Sequence, residues 1–209
     1  MTFPALASAL TLATVWLPTR GILIALALLI VVVVGWIIWS YNRFVGQLAG
    51  IDATWANIAT ELQRRHELVP NLVATAQGYA THERELFDAV ADARARAVEA
   101  TADGVEAKAR AEDDLTDRLT GLLAITEAYP DLRANTLFLD LQRQLVETED
   151  RLSAARRLYN LEVAAYERRR RSVPSNLLAG HGPITPRHPF QIRDAAAAHA
   201  PVVFGADER

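Results

Sequence analysis

The sequence predicts an all-α chain in which an N-terminal single transmembrane helix leads into an antiparallel four-helix bundle with long first and fourth helices. Three observations carry this. From Ile22 to Trp39 no residue is charged or strongly polar, and an α-helix rising about 1.5 Å per residue needs about 20 such residues to cross a hydrocarbon core about 30 Å thick. Downstream, Phe44, Leu48, Ile51, Trp55, Ile58, Leu62, Val69, Leu72 and Ala76 recur at steps of four and three, broken only near Arg65, which is the seam of a packing helix. The 51% hydrophobic content is carried by Ala and aliphatic residues, and the 9 Pro cluster late, so helix is favoured and strand signals are nearly absent.

Residues 1–19 are mildly apolar, interrupted by Pro4 and Pro18, and lack the basic start of a secretory signal. They are expected to form a short translocated or interfacial tail. Residues 20–41 form the anchor, whose thirteen Leu, Ile and Val favour insertion by roughly 4–8 kcal/mol at about −0.3 to −0.6 kcal/mol each. Trp36, Trp39 and Tyr41 mark the downstream interface and Trp16 the other side, because amphipathic rings prefer headgroup depth. Residues 42–173 are assigned to the bundle. Pro70 removes a backbone donor inside the seam, and since the register resumes after it, a kink is expected rather than a stop. Gly78 is expected at C′ and Thr81 as N-cap, with Glu83 in the first turn of a second helix from His82 to about Thr101. Asp103 and Gly104 turn the chain into a third helix from about Val105 to the Tyr129-Pro130 step. Asp131 and Asn135 are candidate caps for a fourth helix that runs to Arg171, with Phe138, Leu141, Leu145, Leu152, Ala155, Tyr159, Val163 and Tyr166 in one stripe. The Pro and Gly that follow make residues 174–209 an irregular, mobile tail.

As helices, Asn42–Gln77 and Asn135–Arg171 each span about 54 Å, the second and third only about 30–38 Å. The membrane-near seam of Phe44, Leu48, Ile51 and Trp55, with Tyr159, Val163 and Tyr166 opposite, is therefore expected to stay incompletely covered in one chain. Apolar stripes of that kind mark association, so these residues are the candidate homo-oligomer interface. Arg168, Arg169, Arg170 and Arg171 return toward headgroup level, where each cation near an anionic leaflet contributes about 1 kcal/mol. The alternative for them is a solvated helix end meeting its own dipole.

Composition closes several classes. A net charge of −3 with interspersed acids leaves no basic face for nucleic acid. Zero cysteines remove disulfides, thiol catalysis and cysteine-based zinc sites. The densest polar cluster, Arg64, Arg65, His66, Glu67 and Asn71, reads either as a buried network or as groups that face solvent or satisfy carbonyls freed by Pro70. His66-Glu67 and His82-Glu83 do not extend to H-E-x-x-H, and no Glu stands three residues before a His as di-iron bundles require. Ser40, Ser153, Ser172 and Ser175 have no His at helical spacing, and no glycine-rich phosphate loop occurs. No catalytic residue, metal, cofactor or small-molecule substrate is expected. Tyr129, Pro130, Asp131, Leu132 and Asn135 form either a partner-binding corner or simply a helix stop followed by a cap.

The segments YNRFVGQLAGIDATWANIATELQRRHELVPNLVATAQGYATHERE, LLAITEAYPDLRAN, FLDLQRQLVETEDRLSAARRLYN and SVPSNLLAG resemble the LemA family of bacterial membrane proteins, from about Tyr41 to Gly180. The resemblance implies a single-pass membrane protein with an antiparallel four-helix bundle, no established enzymatic activity, and relatives that include a magnetosome-associated branch. After Gly180 the chain has HGPITPRHPF in place of the short Phe-rich run that family members often carry. The expected function is a non-enzymatic, membrane-anchored helical scaffold of the bacterial inner membrane that self-associates and presents its bundle to membrane protein partners. The alternative is a monomeric adaptor regulating a membrane protease or transporter. Flanking charge is thin, Arg20 before the anchor and Arg43 after it. The arginine run leans the bundle toward the cytoplasmic side, where the leaflet is more anionic.

Overall fold

A computed structural model describes residues 4–100, 103–179 and 184–192, with side chains from Gly21 onward. The described residues are helical with no strand, as expected from sequence: α1 (Pro4–Gln77), α2 (Arg84–Glu99), α3 (Val105–Ala124), a one-turn α4 (Pro130–Arg133) and α5 (Thr136–Arg171), with 3-10 turns at Ile125–Glu127 and Ser175–Leu178. Residues 193–209 of the expected tail, and the Trp16 side chain, lie outside what is described. The chain divides into two compact units. The anchor unit holds the chain through Leu48 together with Arg169–Thr185, and the bundle unit holds Ala49–Arg168 with the described residues from Pro186 onward.

In the anchor unit, α1 carries a stretch long and apolar enough to cross a membrane, and none of it is buried. Every side chain from Gly21 to Gly35 is exposed, which separates this stretch from the core helix of a water-soluble domain, whose apolar side chains would be covered. Burial begins at Ser40 and continues at Phe44 and Leu48, and Ile184 is buried in the same unit.

In the bundle unit, α1 contributes Val69, Leu72 and Ala76, α2 contributes Phe87, Val90, Ala93 and Ala97, α3 contributes Leu115, Leu119 and Leu122, and α5 contributes Phe138, Leu141 and Leu145 to one apolar core closed by Leu132 of α4. Asn135 is the cap the sequence offers: its Oδ1 accepts from Phe138 N at 2.8 Å while its Nδ2 donates to Tyr79 OH at 2.8 Å. Gly104 precedes α3 with φ +95° and ψ 172°, a conformation essentially reserved for glycine. Three local expectations are corrected. Glu83, not Thr81, occupies the N-cap of α2, without a side-chain cap bond. Gly78 is not left-handed, because Tyr79 N and Ala80 N both donate to Ala76 O at 3.0 Å and close α1 without a positive φ. The third helix ends at Ala124 and tightens into the 3-10 turn before Tyr129.

Residues 186–192 are irregular but not a loose tail. Their main chain is bonded to side chains of α5. Asn160 accepts from Phe190 N at 2.8 Å and donates to Phe190 O at 3.0 Å, Tyr159 OH donates to His188 O at 3.0 Å, Arg156 Nη1 donates to Ile192 O at 2.9 Å, and Glu167 accepts from Arg187 N at 2.9 Å. Phe190 is fully buried, edge-on to Trp55 with centroids 5.2 Å apart, and Trp55 is itself 5.4 Å from Tyr159. A segment outside helix and sheet has no partner of its own for its peptide groups, so helix side chains supply them. The expectation of mobility overlooked this.

Candidate functional site

The site grows from one missing hydrogen bond. Pro70 has no N–H to give to His66 O one turn earlier, and α1 nevertheless runs on through it. The freed carbonyl is taken by Arg94 of α2, whose Nε donates to His66 O at 2.6 Å. On the same turn the seam brings Arg65 and His66 inside. Opposite them α3 presents Lys108, Glu112 and Thr116, all buried and spaced four apart on one face.

Glu112 is the hub. Its Oε1 accepts from His66 Nε2 at 2.8 Å and lies 3.2 Å from Lys108 Nζ, and its Oε2 is 3.5 Å from Arg65 Nη1. Arg65 also donates from Nη2 to Thr116 Oγ1 at 2.7 Å and faces the half-buried Glu149 at 3.8 Å. Thr116 Oγ1 donates in turn to Glu112 O at 2.8 Å, and Lys108 Nζ donates to Ala97 O at 2.6 Å, covering a carbonyl in the last turn of α2. Burial pushes the Glu112 carboxyl up, but the His66 hydrogen bond and the surrounding cations outweigh it and hold its pKa below the ordinary value. Arg65 and Lys108 are matched in number by the carboxylates of Glu112 and Glu149. Arg65 Nε and Glu112 Oε2 make no hydrogen bond within the chain. Shallow grooves of about 140 Å³, lined by Arg65, Thr116 and Glu149 among others, and about 160 Å³, lined by Trp55, His66 and Lys108 among others, flank the layer. Both are smaller than the roughly 300–1,000 Å³ of ordinary ligand pockets.

The expected polar network is therefore half realised. Arg65 and His66 enter the buried layer, whereas Arg64 is only half-buried, and Glu67 and Asn71 are exposed. Glu67 pairs with Gln63 on the surface at 2.8 Å. The residues missed are Lys108, Glu112, Thr116 and Arg94.

The expected oligomer interface is corrected. Phe44, Leu48, Ile51, Tyr159, Val163 and Tyr166 are buried within the chain, and Trp55 is half-buried against Tyr159 and Phe190. In the bundle unit the segment at 186–192 supplies part of the cover the sequence did not reveal. The arginine run is split: Arg168 belongs to the bundle unit, while Arg169, Arg170 and Arg171 belong to the anchor unit. Tyr129 is held at a helix start. Its hydroxyl donates to Glu83 at 3.1 Å, and Tyr129 is the N-cap residue of α4.

A bare apolar helix feeding an all-α bundle with a charged layer at its centre defines a membrane-associated helical-bundle protein. The chain belongs to the LemA family, whose profile matches residues 54–204. It is similar to Magnetosome protein MamQ 2 and Magnetosome protein MamQ 1 of Paramagnetospirillum magneticum, each 25% identical over 186 residues that cover 78% of this chain and 68% of the relative. Magnetosome protein MamQ of Magnetospirillum gryphiswaldense is 27% identical over 173 residues, covering 71% and 64%. The family match runs past Gly180, where the resemblance seen in the sequence stops, and takes in the bonded segment at 186–192.

Proposed function

We propose that this chain is a non-enzymatic scaffold, anchored in the bacterial inner membrane by a single pass, that self-associates there and displays its bundle to membrane protein partners. The observation that carries the reading is that α1 supplies both an uncovered apolar stretch and the first helix of the bundle, so whatever binds the bundle is tethered to the bilayer. Its buried ionisable groups pair with one another, and the grooves they line are smaller than ordinary ligand pockets, which supports a structural rather than a catalytic role. With the proximal seam buried, self-association falls to surface side chains such as Val146, Leu158 and Leu161 of α5, all exposed. Light scattering on the full chain in mild detergent tests this. A multimer that dissociates on Leu158→Glu with Leu161→Glu is expected, and a monomer at every concentration removes the assembly part. A C-terminal reporter fusion tests the proposed cytoplasmic side.

The burial of that seam also favours the second reading, a monomeric adaptor for a membrane protease or transporter. Crosslinking from a single cysteine placed at Leu161 separates the two. A scaffold captures a second copy of itself, and an adaptor captures one heterologous membrane protein.

A further inference from the structure

The anchor unit holds a second apolar feature beside the bare helix. Just past α5, Val173 is 80% and Leu177 69% exposed, more than any large hydrophobic side chain of the apolar stretch of α1. Arg169, in the last turn of α5, sits with its guanidinium 5.9 Å from the Phe44 ring, and Arg43 sits 5.4 Å from the Trp39 ring. The segment therefore lies beside the turns of α1 that leave the apolar run, where Ser40 and Phe44 have become buried. Burial and, after it, the nearby Arg43 charge lower the Arg169 pKa, a repulsion between two cations that a bound anion would relieve.

We propose that Val173 and Leu177 enter the headgroup–acyl boundary of an anionic bilayer while Arg43 and Arg169 hold lipid phosphates, making the turn after α5 a second membrane contact beside the anchor. The inference rests on the anchored reading above. A bilayer is the occupant that matches both features, because the exposed apolar pair belongs to the same compact unit as a helix stretch already bare of protein and the adjoining charge is cationic. Apolar side chains flanked by basic ones are the usual composition of interfacial membrane contacts.

The chain has no cysteine, so Leu177→Cys gives a single site for an environment-sensitive fluorophore on the full chain, and Leu161→Cys gives a bundle control. The labelled chain is reconstituted into phosphatidylcholine vesicles carrying a nitroxide near the top of the acyl chain, with and without phosphatidylglycerol, and washed at alkaline pH. Expected is strong quenching at position 177 in the phosphatidylglycerol vesicles and none at 161. Each of Arg43→Gln and Arg169→Gln should lower the inserted population about fivefold. Salt at about 1 M, where the screening length is about 3 Å, should reduce insertion of the otherwise unsubstituted chain as well, independently of how the variants fold. A retained chain whose 177 label is as unquenched as 161, is quenched equally without phosphatidylglycerol, or is shielded from both water and lipid by protein overturns the inference and leaves the anchored reading standing. Release of the chain by the alkaline wash overturns both.

Discussion

Two stretches of the bundle fill the same interhelical space by opposite means. From Val69 to Ala76 the α1 seam meets Phe87, Leu119, Leu122 and Phe138 in an apolar core, whereas one turn earlier the same seam delivers Arg65 and His66 against Glu112. Apolar burial contributes about 25 cal/mol per Å² without direction. A buried ion pair returns little net energy after desolvation, but loses several kcal/mol if one partner is removed. The core thus supplies cohesion, and we expect the charged layer to supply register, because only one alignment of α1 on α3 puts every cation beside an acid.

The sharpest way to break this comparison is to damage each region once. Glu112→Gln, which leaves Arg65 and Lys108 short of a counter-charge, should cost about 3–5 kcal/mol, and Phe138→Ala a similar 3–5 kcal/mol by opening a cavity. Proton linkage tells them apart. Because the folded Glu112 pKa is depressed, its contribution is complete above the ordinary carboxylate value of 4.5 and is lost as pH falls through the lower folded value. Urea unfolding of the full chain in detergent, followed by far-UV circular dichroism, should show the Glu112→Gln deficit shrinking on acidification while the Phe138→Ala deficit stays constant.

Next in size, replacing the layer wholesale with Arg65→Leu, His66→Leu, Lys108→Met and Glu112→Leu should leave stability unchanged or raise it by about 1–4 kcal/mol. The expected loss is of uniqueness, seen as broadened or doubled amide resonances, and a single sharp set would remove the register role. Asn160→Ala strips both bonds from Phe190 and should cost about 1–3 kcal/mol, with limited proteolysis between residues 186 and 192 as the readout. Smallest is Arg94→Met, at about 1 kcal/mol. In a Pro70→Ala background that loss should nearly vanish, since the backbone N–H restored by the substitution gives His66 O a donor within the helix, and a double-mutant cycle measures the coupling.

Much of this was legible in the residues. The uncharged run of α1 and its seam fixed the helical class, and Asn135 announced its own cap. The charged layer was legible too, had the apolar rows been continued through polar letters. Arg65 stands on the four-and-three row from Leu62 to Val69, and Lys108 and Glu112 on the row from Leu115 backward. What hid Lys108 and Glu112 was the habit of reading a charge as a surface. The segment at 186–192 was not legible, because its hold on α5 uses main-chain groups, and peptide N–H and C=O carry no residue identity. The same blindness made the bundle-unit part of the proximal seam, at Trp55 and Tyr159, look uncovered.

Pro70 makes α1 unable to complete itself. The carbonyl of His66 waits for a guanidinium that sits 28 positions further along the chain, so that turn reaches its final bonding only after α2 has doubled back. Chain reversal at Gly78–Glu83 therefore precedes closure of the turn around His66, and a φ-value experiment at Arg94 would find its contact made with the hairpin rather than with the helix.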